Sequence, residues 1–119
     1  MFTKIFALAL AVLALVSTGV STAQAQSGGQ VQVIRSSINP VAPRVGEYYT
    51  LSVTVQNNTG STVVATVNLV EWPNGDVPQG SQAIAYRLNP GQQGTYNFTF
   101  YCGVEGGTVR YNLSAVRAN

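Results

Sequence analysis

Tyr49-Thr50-Leu51-Ser52-Val53-Thr54-Val55-Gln56 alternates apolar with polar side chains over eight residues. Period two is the signature of a strand with one face in a core and the other in water. Gly46-Glu47 marks a turn before it, and Asn57-Asn58-Thr59-Gly60-Ser61 a polar tip after it, rich in residues that tolerate positive φ. The same alternation returns at Val31-Gln32-Val33-Ile34, at Val63, Ala65, Val67 and Leu69, and at Ile84, Tyr86 and Leu88. It closes with Tyr96, Phe98, Phe100 and Cys102, then Val109, Tyr111, Leu113 and Ala115.

Between these strands lie breakers. Residues 38–43 carry two prolines and read as an edge or crossing piece, and residues 71–80 hold two prolines and two glycines around Trp72 and read as a loop. Asn89-Pro90-Gly91 is a turn in which proline sets φ and glycine takes the left-handed position. No apolar pattern of helical period runs through residues 26–119, so helix is not needed. Strands with one apolar face each must put those faces together. The expected fold is all-β: an immunoglobulin-like antiparallel β-sandwich of Greek-key type with about seven strands.

The N-terminus reads differently. Residues 1–4 are short and positively charged, residues 5–16 are a continuous apolar run, and Ala23-Gln24-Ala25 offers the small residues a signal peptidase reads. Residues 1–25 are therefore expected to be a secretion signal, residues 26–30 a flexible lead, and residues 31–119 the sandwich. The apolar run is shorter than the roughly 20 residues that cross a bilayer. No membrane span is expected after removal of the leader, and the compartment expected is extracellular or cell-surface, with periplasm as the other exported location.

Composition excludes several classes of function. The 119 residues contain no histidine, and only 8 % are charged, against roughly 25 % in an average soluble domain. Beyond Lys4 the basic groups are arginines that barely outnumber four acids, which is no footprint for nucleic acid. The commonest general base and metal ligand is missing. Glu71 and Asp76 share one loop and are the only carboxylates spaced to approach each other, but two solvated loop charges are the plainer reading. No catalytic residue, metal or cofactor is expected, and the chain reads as a non-enzyme.

The run Asn39-Pro40-Val41, then Val45-Gly46-Glu47-Tyr48-Tyr49 through the Thr-x-Val-x-Val-x-Asn-like strand ending at Asn57 and Gly60, then Leu88-Asn89-Pro90-Gly91 and the aromatic strand from Tyr96 to Phe100, resembles extracellular immunoglobulin-like modules of the CARDB kind. The resemblance covers nearly all of the part after the leader. Members of that family are mostly repeated modules of large surface or secreted proteins, so it implies a spacing or adhesive role and brings no catalytic residue. A single free-standing copy departs from the family pattern and favours a partner protein or self-assembly.

Several residues stand out as candidates. Cys102 shares the inward parity of its strand and reads as a buried thiol or, being unpaired in an exported chain, as an intermolecular disulfide partner. Trp72 sits on a loop, where a large ring either anchors a partner or plugs the end of the sandwich. Tyr48 and Tyr101 fall on the polar parity and read as contact surface or cross-strand cover. Asn57 heads a glycosylation acceptor pattern on a clear loop. Val31, Val33 and Ile34 read either as the first strand of their own sheet or as a donor strand for a neighbour. The surface is dominated by Thr, Ser, Asn and Gln, and no lysine follows Lys4 to guard a strand edge. These features point to an exported structural or adhesive subunit, self-assembling into a filament by strand complementation. Its partners would be copies of itself or another surface protein. The alternatives are a soluble carbohydrate- or peptide-binding module with a glycan partner, or a periplasmic accessory or chaperone protein.

Overall fold

Every long alternating segment forms a strand in the computed structural model, which describes residues 30–118 and the backbone of Ile5–Phe6. The expected leader otherwise lies outside the described residues, as does the flexible lead except for Gln30. The elements are β1 (Ile5–Phe6), β2 (Val31–Asn39), β3 (Tyr48–Asn57), β4 (Val63–Glu71), β5 (Val77–Pro78), β6 (Ala83–Leu88), β7 (Gln93–Tyr101) and β8 (Thr108–Arg117). They form two four-stranded sheets: sheet I in the order β1-β8-β4-β6 and sheet II in the order β2-β3-β7-β5. All pairings are antiparallel except β1 with β8, which is parallel and two residues long.

The apolar parity of each strand supplies one core between the sheets. Tyr49, Leu51, Val53 and Val55 of β3 and Tyr96, Phe98 and Phe100 of β7 meet Val63, Ala65, Val67 and Leu69 of β4 and Val109, Tyr111, Leu113 and Ala115 of β8. Tyr49 and Phe100 are register partners and stack with centroids 5.0 Å apart. Burying side chains of this size is the main source of stability, roughly 1.5–3 kcal/mol for each that is fully removed from water.

Two local features differ from strict alternation. A bulge between Val33 and Arg35 lets β2 continue to Asn39 rather than stopping after Ile34. The extra residue changes which parity faces inward: Val33 lies opposite Val55, whereas beyond the bulge Ser36 lies opposite Val53 and Ile38 opposite Leu51. Ile38 is thereby buried, and Ser36 is turned inward with it. The expected loop at residues 71–80 also holds the short β5, paired to the end of β7.

The turn at Asn89-Pro90-Gly91 has the expected form. Gly91 takes φ +81, and Gln92 N–H donates to Asn89 O at 2.9 Å. At Gly46, φ is +93, and the turn is tied by Arg44 N–H donating to Glu47 Oε1 at 2.8 Å.

Candidate contact surface

The polar parity of sheet II makes a regular platform. On β3 and β7, Thr50 pairs with Thr99 at 3.3 Å, Ser52 Oγ donates to Asn97 Oδ1 at 2.6 Å, and Thr54 pairs with Thr95 at 3.1 Å. Each row continues onto β2, where Asn39 lies beside Thr50, Ser37 beside Ser52 and Arg35 beside Thr54. Gln32, Gln56 and Gln93 form the next row. One charge, Arg35, therefore stands among eleven neutral side chains. Hydroxyl and amide side chains that bond across strands present donors and acceptors on this face at strand spacing.

One end of this platform is apolar. Tyr48 and Tyr101 are register partners, and Val77 of β5 lies opposite Tyr101 on its other side. The two rings meet edge to face with centroids 5.6 Å apart. Tyr48 is 60 % exposed, Val77 50 % and Tyr101 36 %. The structure thus brings two of the three sequence-singled aromatics together on an open face. Val77 was not singled out, because only the register of β5 on β7 shows that it joins them.

Trp72 is elsewhere. It is half-buried against the core, 6.3 Å from the Phe100 ring, and so closes the end of the sandwich instead of standing free on its loop. Val31, Val33 and Ile34 lie in β2, with Val31 paired to Asn57 and Val33 to Val55 of the same chain. Cys102 is a free, buried thiol whose Sγ approaches Val104 O at 3.2 Å.

Asn57 corrects an expectation. It is fully buried, with Nδ2 donating to Ser61 O at 2.7 Å and Leu88 O at 3.0 Å, while Oδ1 accepts from Thr59 N at 2.9 Å and Thr59 Oγ1 at 2.6 Å. The nitrogen that a glycan would need is committed to holding the turn between β3 and β4. Asn57 is a staple and not an open acceptor.

Asp76 corrects another: it is not the solvated loop charge expected, although, as expected, it does not pair with Glu71. Glu71 meets Arg110 at 3.3 Å on the surface, while Asp76 is buried. Its Oδ2 accepts from the Tyr49 hydroxyl, and Oδ1 accepts from Gly103 N at 2.8 Å and Val104 N at 3.2 Å. Burial, reinforced by this carboxylate, pushes Tyr49 far above the ordinary tyrosine range. Asp76 therefore clamps the loop before β5, the loop after β7 and the core strand β3. Among the described residues, no three His, Cys, Asp or Glu side chains gather as a metal would require.

No family model matches the chain, and neither a curated protein nor a solved structure matches it.

Proposed function

We propose that this chain is an exported, non-enzymatic structural or adhesive subunit, an immunoglobulin-like Greek-key module that works by presenting a sheet face rather than a pocket. The observation carrying this reading is the outer face of sheet II, where a neutral ladder of hydroxyl and amide pairs ends in the exposed row Tyr48, Tyr101 and Val77. Amphipathic rings on a neutral polar field give contact area without the desolvation penalty of charge. The leader-like residues 1–25 support export, and the CARDB-like order of motifs supports an adhesive setting. Sedimentation across micromolar to millimolar concentration tests self-association. Surface labelling of intact producing cells tests location. A strictly monomeric protein would exclude self-assembly, and retention of residues 1–25 in the cytoplasm would exclude export.

A second reading follows from the same row. The paired rings of Tyr48 and Tyr101 beside Asn and Thr side chains suit stacking and hydrogen bonding to a neutral glycan. The binding surface on that reading is the sheet II face and not Trp72. A glycan array with the wild type and a Tyr48→Ala/Tyr101→Ala variant decides it: binding lost in the variant supports the reading, and an unresponsive wild type removes it.

A further inference from the structure

Besides the triplet at Asn57, the chain carries Asn97-Phe98-Thr99 on β7 and Asn112-Leu113-Ser114 on β8. Asparagine followed two residues later by Ser or Thr, with any residue but proline between, is the pattern that N-linked glycosylation reads. On a strand the first and third residues of such a triplet share a face, and the middle one points the other way. In both triplets the middle residue, Phe98 or Leu113, is buried in the core, and the asparagine is exposed. A sugar attached before the strand docks is therefore carried outward when it docks. Asn57 is the reverse case, since its own side chain is buried.

The two exposed asparagines differ in their surroundings. Asn97 Oδ1 accepts from Ser52 Oγ at 2.6 Å, and the hydroxyl of its triplet, Thr99, pairs with Thr50 at 3.3 Å. Asn97 stands in a central row of the sheet II face, so a glycan there would cover the surface on which the proposed function rests. Asn112 stands on the outer face of sheet I, the opposite side of the sandwich. It is exposed, as is Ser114, and its side chain makes no hydrogen bond among the described residues. Register sets Asn112 beside Asn68 and Asn68 beside Ala83, and the next row is Ser114, Thr66 and Ala85. No side chain in these two rows is charged or larger than asparagine. The amide of Asn112 is thus uncommitted, and its surroundings are low and neutral.

We propose that Asn112 is the N-glycan acceptor of this protein and the outer face of sheet I its sugar-bearing face. The donor is an oligosaccharide activated on a lipid-linked pyrophosphate, transferred by the exporting cell. Asn112 Nδ2 forms a bond to the anomeric carbon as the bond from that carbon to a pyrophosphate oxygen breaks. The pyrophosphate leaves with the bonding pair, and the nitrogen gives up one of its two protons to solvent. The Ser114 hydroxyl is the part of the triplet that the transferase recognises. Because Leu113 is fully buried in the fold, transfer precedes the docking of β8, the last of the described strands. A bulky, solubilising group on one side of the sandwich leaves the other side to meet a partner. This inference rests on the exported reading given above and goes beyond it, by naming the face turned away from the partner.

Tandem mass spectrometry of the full chain, recovered separately from the inside and the outside of producing cells, tests it. Trypsin cuts after Arg110 and so places Asn97 and Asn112 on different peptides. The expected result is an exported chain without residues 1–25 that carries sugar on Asn112 and none on Asn97. Asn112→Gln and Ser114→Ala should each abolish the modification, and Ser114→Thr, which keeps the hydroxyl, should retain it. Both positions are exposed, so all three variants should keep the circular-dichroism spectrum of the wild type, which separates lost transfer from lost folding. An exported chain bare at Asn112, or one with sugar on Asn97, overturns this inference and leaves the export reading standing. A chain held inside the cell with residues 1–25 intact and no sugar overturns both.

Discussion

The hydroxyl of Tyr96 on β7 donates to the carbonyl oxygen of Ala65 on β4 at 2.6 Å, tying sheet II to sheet I through the middle of the core. The Tyr86 ring of β6 leans on Tyr96 with centroids 4.7 Å apart. Replacing Tyr96 by Phe keeps the ring and removes the tie. The expected loss is about 1–2 kcal/mol, read as a lower urea midpoint with unchanged slope. A shift too small to measure would mean that water replaces the tie.

Alkaline pH should unfold the protein through its buried tyrosines. Burial pushes Tyr96 up to about 12, against a smaller opposing backbone contribution, and drives Tyr49 and Tyr111 upward as well. An unfolded chain releases its phenolic protons near pH 10, while the folded one still holds these three. Their contribution is therefore complete below about pH 10 and is lost as pH rises through the folded values, at up to about 1.4 kcal/mol per pH unit for each tyrosine. Urea midpoints at pH 8, 10 and 11 should fall in that order. A level profile would contradict the burial of these hydroxyls.

Asp76 should be among the most sensitive polar positions. Asp76→Ala withdraws an acceptor from Tyr49, Gly103 and Val104 at once. Bonds to a charged group contribute about 1.5–3 kcal/mol each, and because the three share one carboxylate the expected cost is about 3 kcal/mol. Asp76→Asn, which keeps one oxygen, should fall between wild type and Ala. Equal stability of all three would show that the loops are held otherwise.

Gly103 and Gly60 should answer oppositely to alanine. A Cβ on Gly103 would stand 1.7 Å from Gly75 O, whereas Gly60 has nothing within 4 Å and no positive φ. Backbone cannot yield by that much, so Gly103→Ala should cost more than about 3 kcal/mol or prevent folding. Gly60→Ala should lie within about 1 kcal/mol of wild type, on the stabilising side through lost chain entropy. Melting temperatures of the two variants provide the check.

Asn57 should stay unmodified in a glycosylating host. Intact-mass analysis should show no sugar at this position, and Asn57→Ala should cost about 2–4 kcal/mol, since buried backbone acceptors at Ser61 and Leu88 lose their donor. Occupied Asn57 in folded protein would refute its role as a staple.

The strands with unbroken alternation were readable because period two is a local property: β3, β4, β7 and β8 follow directly from their residues. β2 was readable only to Ile34. Nothing between Val33 and Arg35 announces a bulge, and its consequence, Ile38 inward, depends on pairing with β3. The contact surface divides in the same way. The outward parity of Tyr48 and Tyr101 is local, but the presence of Val77 beside them is set by register across 24 positions of chain. Asp76 was misread for the same reason. A carboxylate between Gly75 and Val77 looks like a solvated turn residue until its partners from β3 and the loop after β7 arrive. Asn57 looked open because an asparagine-rich tip is usually exposed, and no local pattern distinguishes a side chain that folds back under its own turn.

The interrupted border at β2 also bears on how large any assembly grows. A molecule that joins others through two different borders propagates without limit, because each addition exposes a fresh end. With β2 kinked and β5 reduced to a two-residue stub, neither border of sheet II offers a long regular edge to a further strand. Growth of sheet II by strand addition is discouraged at both ends, so a partner meeting this sheet meets its face.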